Sequence, residues 1–243
     1  ELGAILLLPL PAFGWLLLRY LSCRRVLRAL PSVSDPRVLA AWQELRRECG
    51  ELRRPVLLLD TGGRGPGPTL FGCFSLRLLL PVAKLRELSD RQLRLLLEHE
   101  YCHCRAGDPW INLLGLLVCC IAWYNPFLLL ARRRLRSCCE MECDRRILDR
   151  HPDAVRDYGN LLLQFASGSP AVSSMAIALT ESPRELSRRI RTMTGGGCAG
   201  KKQFSGRICT ILIAGGLLFP VGMVAVNVKQ TAAKRPVTKE SAP

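Results

Sequence analysis

Long apolar runs alternate with basic segments along this chain of 243 residues. Residues 2–18 and 208–228 are almost wholly apolar, and arginine and lysine cluster between them. About 20 apolar residues suffice to cross a bilayer, and positive charge marks its cytoplasmic side. The pattern therefore predicts transmembrane helices at residues 1–22 and 208–228, which flank residues 23–207 on the cytoplasmic side. The last segment, residues 229–243, is then an extracytoplasmic tail.

Two capping patterns predict helix starts in the region before the middle of the chain. Asp35 can cap a helix that begins at Pro36, where proline suits the first turn, and that ends near Cys49. Ser89 and Gln92 form a capping box, in which each side chain bonds the other residue's backbone, and this predicts a second helix.

Two apolar segments in the same region predict a small β-sheet. Residues 55–60 are a short apolar run typical of one strand, and residues 70–80 predict two strands joined near 73–75. We expect the strand at residues 76–80 to add a substrate peptide along its edge. The fold class expected is a mainly α membrane protein with a small β-sheet.

Composition narrows the classes of protein to which the chain can belong. Its hydrophobic fraction of 49% and mean hydropathy of +0.14 exclude a disordered chain. The net charge of +15 is explained by the basic loops of a membrane protein, so we expect no direct nucleic-acid partner. The arginine runs at residues 132–136 and 184–191 are assigned to anionic lipid headgroups. The 12 cysteines indicate reduced packing residues in a chain of this length, rather than a secreted disulfide framework.

The sequence His99-Glu100-Tyr101-Cys102-His103 lies within the helix predicted after the capping box. Residues four apart share one face of a helix, so both imidazoles can bind one zinc ion. Glu100 can then take a proton from a zinc-bound water as that water attacks a peptide carbonyl. This spacing is the H-E-x-x-H pattern of metalloproteases. We predict His99 and His103 as metal ligands and Glu100 as the catalytic base.

Two histidines leave a catalytic zinc site one protein ligand short. Glu140 and Asp144 fall four apart on a predicted helix, so we predict Glu140 as the third ligand and Asp144 as a support that orients a ligating histidine. The alternative is a solvated acidic face paired with nearby arginines, and Glu142 is the weaker ligand candidate. His151 lies in a turn-like setting, where we expect a surface role.

The apolar run at residues 110–131 has a break in its middle, because Asn125-Pro126 favours a turn. If this run crossed the bilayer, Glu140 would lie about 30 Å from His103, whereas zinc needs its carboxylate oxygen at about 2 Å. We therefore predict a hydrophobic helical hairpin at residues 109–135, which packs on the site or dips into the membrane.

These residues together resemble the bacterial membrane metallopeptidases of the BlaR/MecR antirepressor type. That family follows H-E-x-x-H with an aspartate, an asparagine, a W-[FY]-N-P turn and a distal E-x-x-C-D pattern. The corresponding residues in this chain are Asp108, Asn112, Trp123-Tyr124-Asn125-Pro126, Glu140, Cys143 and Asp144. The resemblance implies a gluzincin zinc peptidase domain with one zinc ion, Glu140 as third ligand, and Asp108 and Asn112 as supporting residues.

The resemblance also implies a role in signalling at the cell membrane. Members of the family relay an external signal, often a β-lactam, and trigger removal of a winged-helix repressor or cleavage of the sensor itself. We therefore expect a protein substrate, such as a repressor, and the lipid bilayer as partners; a homodimer stays open. Because the chain begins with Glu1 inside its first apolar run, we expect it to be part of a longer protein. The tail has no Ser-x-x-Lys acylation motif, and Arg145 stands where the family often has glutamate.

Two alternatives of other classes stay open at this stage. A membrane-protein quality-control protease would share the same zinc chemistry but cut a broad range of substrates. A non-catalytic signalling scaffold would use zinc structurally, although Glu100 argues against it because a structural site needs no base. An oxyanion donor is not selected by any pattern, and Tyr158 and Arg145 are the two candidates.

Overall fold

The computed structural model of the chain describes residues 9–63, 67–123, 125–167 and 183–194. Within these ranges the chain forms eight α-helices, three β-strands and one 3₁₀ turn, so the expected mainly helical fold with a small sheet is confirmed. In chain order the elements are α1 (Pro9–Arg28), α2 (Pro36–Cys49), β1 (Val56–Asp60), β2 (Thr69–Phe71), β3 (Leu76–Leu80), α3 (Val82–Leu85), α4 (Asp90–Ala106), α5 (Asp108–Ile121), α6 (Pro126–Arg150), the 3₁₀ turn (Pro152–Ala154), α7 (Val155–Ser167) and α8 (Pro183–Thr194).

Both predicted helix starts are confirmed by their capping hydrogen bonds. The Asp35 carboxylate accepts from the first backbone N–H groups of α2, at 3.1 and 3.4 Å. The Ser89 hydroxyl accepts from the Gln92 backbone N–H at 3.2 Å, and the Gln92 side chain accepts from the Ser89 N–H at 3.0 Å. Helix α4 ends at Gly107, whose φ of 76° is left-handed, and α5 begins at the next residue. The capping box thus fixes where the H-E-x-x-H helix begins, and Gly107 fixes where it ends.

The sheet has the strand order β1-β3-β2, with β1 parallel and β2 antiparallel to β3. The predicted strands are confirmed, but the expectation that residues 76–80 receive a substrate peptide is wrong. Strand β3 lies in the centre of the sheet and its backbone is paired on both sides, so it offers no edge. Strands β1 and β2 form the two edges of the sheet. Residues 31–33 hydrogen-bond along the outer side of β1, whereas β2 packs beside α4.

Helix α4 lies in the centre of the hydrophobic core. Leu97 is fully buried and Tyr101 is nearly so, and the Tyr101 ring meets the Trp42 ring of α2 edge-on at 5.5 Å. The same cluster contains buried side chains from the sheet and from α6 and α7, namely Leu58, Leu78, Leu80, Ile147, Tyr158 and Leu161. This packing holds α4 in a fixed orientation, and with it the face that carries His99 and His103. The cysteines of the described ranges are free thiols, as expected.

From Pro9 onward the first apolar segment forms a helix, and the apolar run at residues 110–131 is divided between two helices. Helix α1 exposes Phe13, Trp15 and Leu18, and helices α5 and α6 contact each other on either side of the break at 122–125. No single helix of the described ranges has both the length and the hydropathy to cross a membrane; α4 and α5, bent by 58°, meet those criteria only as a pair. The predicted span at 208–228 and the tail at 229–243 lie outside the described residues.

Candidate metal centre

Three predicted metal ligands converge at one point between α4 and α6. His99 and His103 lie one turn apart on α4, and their Nε2 atoms are 3.1 Å apart with the two rings perpendicular. Glu140 comes from α6, and its Oε2 atom lies 3.4 Å from Nε2 of His99 and 3.6 Å from Nε2 of His103. The three donor atoms therefore form a small, nearly equilateral triangle.

This triangle has the dimensions that a zinc ion requires. With bonds of about 2 Å and tetrahedral angles, neighbouring donors of one zinc ion lie about 3.3 Å apart. The three measured separations, 3.1, 3.4 and 3.6 Å, bracket that value. Two imidazole nitrogens and one carboxylate also form the donor set of a catalytic zinc site, which keeps a position for water. The residues present fit one zinc ion.

Asp108 supports the second histidine from the far side of its ring. Its Oδ2 lies 2.5 Å from Nδ1 of His103, and the aspartate is 5% exposed at the start of α5. A carboxylate at Nδ1 fixes the tautomer, so that Nε2 is free to bind a metal. Burial lowers the pKa of His103, but Asp108 and Glu140 outweigh it and hold that pKa well above its ordinary value.

Cys143 lies beside the same nitrogen that Asp108 contacts, with its Sγ 3.4 Å from Nδ1 of His103. The set His103, Asp108 and Cys143 therefore also has the composition of a metal site. Its shortest separation, 2.5 Å, is that of a hydrogen bond and is well below the ~3.3 Å between donors of one zinc ion. This second set is a support of the first, not a second ion site.

The first histidine is supported through a tyrosine hydroxyl. The Tyr158 hydroxyl of α7 lies 2.8 Å from Nδ1 of His99 and donates to Asp144 Oδ1 at 2.6 Å. Because the single phenolic proton is used on Asp144, Nδ1 of His99 must carry a proton and Nε2 is free. Asp144 itself lies 3.6 Å from Nδ1, so it acts on His99 through Tyr158.

Arg189 of α8 completes this chain of contacts, whereas the sequence pattern assigns it no role at the site and places it only in the arginine run at residues 184–191. Its Nε and one terminal nitrogen donate to the two oxygens of Asp144, both at 2.7 Å, and Nη1 lies 3.3 Å from Glu140 Oε2. Arg189 is 5% exposed, so its assignment to lipid headgroups, with the rest of residues 184–191, is wrong for this residue. A cluster of predicted buried carboxylates with no assigned cation was the signal that could have found it.

The acidic side chains of α6 lie in two different environments, some at the site and others facing solvent. Burial raises the pKa of Glu140, but the two histidines outweigh it and hold that pKa well below its ordinary value. Glu142 instead accepts from Arg145 at 2.8 Å and from Arg146 at 3.0 Å on the outer face. The solvated acidic face therefore exists, but it contains Glu142 and not Glu140 or Asp144.

The remaining predicted residues lie at different distances from this centre. Glu100 is buried beside it; burial raises the pKa of its carboxyl, against the opposing effect of His99 and His103. Asn112 is half-buried on α5, and within the described ranges it makes no hydrogen bond to the site. The two candidate oxyanion donors, Tyr158 and Arg145, are engaged with other partners.

His151 does not have the surface role expected for it. Its Nε2 lies 2.8 Å from Oε2 of Glu98, and Arg150 donates to the other oxygen of Glu98 at 2.8 Å. Glu98 is 2% exposed and directly precedes His99 in α4. The end of α6 thus supplies partners for both oxygens of the buried Glu98 carboxylate on α4. These partners lie far from Glu98 in the chain.

Sequence comparison relates the chain to known proteins. The family model described as BlaR1 peptidase M56 matches residues 3–193. This chain belongs to that family. It is 30% identical over 100 residues to the methicillin resistance mecR1 protein of Staphylococcus aureus, which covers 40% of this chain and 17% of that protein. It is 24% identical over 179 residues to the regulatory protein BlaR1 of Bacillus licheniformis, which covers 71% of this chain and 29% of that protein.

The chain therefore spans less than a third of the length of these relatives. The family membership confirms the resemblance drawn from the H-E-x-x-H, W-[FY]-N-P and E-x-x-C-D patterns. The chain is therefore a member of a peptidase family, and one of its relatives is named as a regulatory protein.

Proposed function

We propose that this chain is a zinc endopeptidase at the cytoplasmic face of the cell membrane, which cleaves a cytoplasmic repressor or itself and so relays a signal to transcription. The observation that carries the proposal is the triangle of His99 Nε2, His103 Nε2 and Glu140 Oε2, with separations of 3.1 to 3.6 Å. Membership of a peptidase family supports the class of reaction. The relatives named for regulation and methicillin resistance support the signalling role.

In this proposal each donor is held by a partner behind it. Asp108 orients His103, and Tyr158 with Asp144 orients His99, so both Nε2 atoms face the same point. When bound, zinc supplies Lewis-acid chemistry that activates water and polarises the scissile carbonyl. The residues themselves provide a rigid frame that needs little rearrangement.

Glu100 is the proton carrier of the proposed reaction. It accepts a proton from the attacking water and passes it to the amine nitrogen as the peptide bond breaks. Burial raises the pKa of the Glu100 carboxyl toward neutral pH. A carboxyl with such a pKa is suited both to accept the proton from water and to release it to the amine. Its exposed fraction of 8% limits access of bulk water to the carboxylate.

The substrate peptide is proposed to bind as an extended strand beside β2. Strand β2 is an edge strand of the sheet and lies next to α4. Backbone hydrogen bonds along such an edge hold a peptide with little dependence on its side chains.

The membrane location rests on the distribution of apolar and basic side chains. Ile121, Trp123 and Phe127 are exposed around the turn between α5 and α6, and Arg133 and Arg134 are exposed just beyond it. Apolar groups flanked by arginines suit the boundary between lipid tails and headgroups on the cytoplasmic side. A repressor in the cytoplasm would then reach the site without crossing the bilayer.

The decisive experiment is Glu100→Gln in the full chain, purified in detergent. We expect one bound zinc ion per chain, as in the unchanged protein, and loss of cleavage of the chain itself and of a winged-helix repressor. Glu142→Gln on the outer face of α6 is the matched control and should keep both zinc and cleavage. Unchanged cleavage by Glu100→Gln would overturn the proposal.

Casein as an added substrate separates the two protease alternatives. Efficient cleavage of casein indicates quality control, whereas cleavage restricted to the repressor or the chain itself indicates a regulatory protease. Zinc binding without any cleavage by the unchanged chain would indicate the signalling scaffold.

A further inference from the structure

We propose that Arg189 is a positioning residue of the metal centre, delivered by helix α8 to fix the orientation of both Glu140 and Asp144. This inference rests on the proposed metal site, which it extends with a residue from outside the H-E-x-x-H and E-x-x-C-D patterns. Helix α8 packs against α6 and α7, the two helices that supply Glu140, Asp144 and Tyr158.

The guanidinium group of Arg189 contacts two carboxylates of the site, those of Asp144 and Glu140. Its Nε and one terminal nitrogen form a fork on Asp144, at 2.7 Å each, and its remaining nitrogen lies 3.3 Å from Glu140 Oε2. Glu140 and Asp144 lie one turn apart on α6, so a single planar group can reach both. The Glu140 oxygen that it approaches is the same atom that faces the two histidines.

Arg189 therefore acts on both supports of the metal at once. On one side it holds Glu140 by the donor oxygen itself. On the other side it fixes Asp144, which accepts from Tyr158, whose hydroxyl meets Nδ1 of His99. A change at Arg189 is thus transmitted to two of the three donor atoms of the triangle.

The charge balance of the site also requires such a cation. Glu100, Asp108 and Asp144 are all buried there, and Glu140 is largely enclosed. Buried carboxylates are stabilised only when they are paired or bind a metal. Without Arg189, both buried oxygens of Asp144 would lose their guanidinium donors, and the hydrogen bond that Asp144 accepts from Tyr158 would lose its fixed direction.

Arginine is required for geometric as well as electrostatic reasons. Two parallel N–H groups bind the two oxygens of Asp144, and a lysine ammonium cannot reproduce that fork. Arg189→Lys should therefore keep the charge but recover only part of the effect. Arg188 offers a matched control, because it lies next to Arg189 on the same helix but is exposed.

The test measures zinc affinity of the full chain in detergent, by competition with a chromophoric chelator. We expect Arg189→Met to weaken zinc binding by about 10- to 100-fold, the range found when residues supporting metal ligands are changed. Arg189→Lys should lie between, and Arg188→Met should bind zinc like the unchanged chain. Substitution of cobalt(II) for zinc should give an altered visible spectrum in Arg189→Met, because the donor geometry has changed.

A double-variant cycle with Asp144→Asn separates positioning from general stability. If Arg189 acts through Asp144, the two changes should be strongly non-additive in zinc affinity. If Arg189→Met does not fold, the paired change Arg189→Met with Asp144→Asn removes the unpaired buried charge and should fold, still with weakened zinc binding.

Two results would overturn the inference. One is a zinc affinity of Arg189→Met equal to that of Arg188→Met, and the other is simple additivity in the double-variant cycle. Failure of the unchanged chain to bind zinc would instead overturn the proposed metal centre, and this inference with it. The two failures are therefore distinguishable.

Discussion

Asp108 hydrogen-bonds Nδ1 of His103 at 2.5 Å across the left-handed turn at Gly107 that separates α4 from α5. The helix that carries His99 and His103 and the helix that begins the apolar hairpin are therefore joined at the candidate metal centre. The position of the hairpin and the orientation of His103 are set by the same few atoms.

Replacement of Asp108 tests the orientation of His103. Asp108→Ala removes the acceptor at Nδ1, so we expect zinc affinity to fall by about 10-fold or more, measured by chelator competition. Asp149→Ala, an exposed acidic residue on the outer face of α6, is the control and should bind zinc normally. Equal affinity in the two variants would contradict the role of Asp108.

Tyr158→Phe removes one hydroxyl from the contacts behind His99. The buried Asp144 oxygen and the His99 Nδ1 proton then lose their shared partner, so zinc affinity should fall by about 10-fold. The matched control is Tyr101→Phe, because Tyr101 is also buried but bonds the Gly50 carbonyl away from the site. That control should lose about 1 kcal/mol of unfolding free energy and keep its zinc affinity. A fall in affinity in both variants would point to a general loss of packing.

Gly107→Ala tests the turn between α4 and α5. Nothing lies within 4 Å of an added Cβ at Gly107, so the cost is that of the backbone at φ 76° alone. We expect a loss of about 1–2 kcal/mol of unfolding free energy in urea titrations. Gly115→Ala, inside α5, would place its Cβ at an ordinary 3.6 Å from Arg132 and should be neutral or stabilising. Equal effects at the two glycines would rule out backbone strain as the cause.

Removal of the metal should destabilise the whole fold. An ion that binds only the folded chain adds about 2.7 kcal/mol when its concentration is 100 times its Kd. EDTA should therefore lower the thermal unfolding temperature of the unchanged chain. The double variant His99→Ala with His103→Ala has no site to empty, so its unfolding temperature should not respond to EDTA. A response in that variant would place the stabilising ion elsewhere.

Local signals in the sequence predicted the elements well, because their determinants lie within a few residues. The caps at Asp35 and Ser89 and the strand at residues 55–60 are confirmed for that reason. The sequence alone predicts Glu140 beside the two histidines. Two histidines leave a zinc site one protein ligand short, and Glu140 shares one face of a predicted helix with Asp144. These inferences needed no knowledge of how distant helices pack.

Contacts between distant helices were not predictable in the same way. Arg189 and Tyr158 reach the site only through the packing of α7 and α8 on α6, and a basic helix pattern gives no sign of which arginine is buried. His151 was assigned to the surface because its local sequence resembles a turn, whereas its partner Glu98 lies in another helix. Whether a strand lies at the edge or in the centre of the sheet likewise depends on strand order. The apolar run at residues 76–80 does not specify that order by itself.

The residues of the candidate metal centre come from five successive helices, α4 to α8. A chain still emerging from the ribosome, or one that has partly unfolded, keeps the H-E-x-x-H segment but lacks the glutamate, tyrosine and arginine that complete the centre. Under the proposed function, such a chain cannot cut its neighbours. Under the same proposal, an immature or damaged copy is inactive without a separate inhibitor.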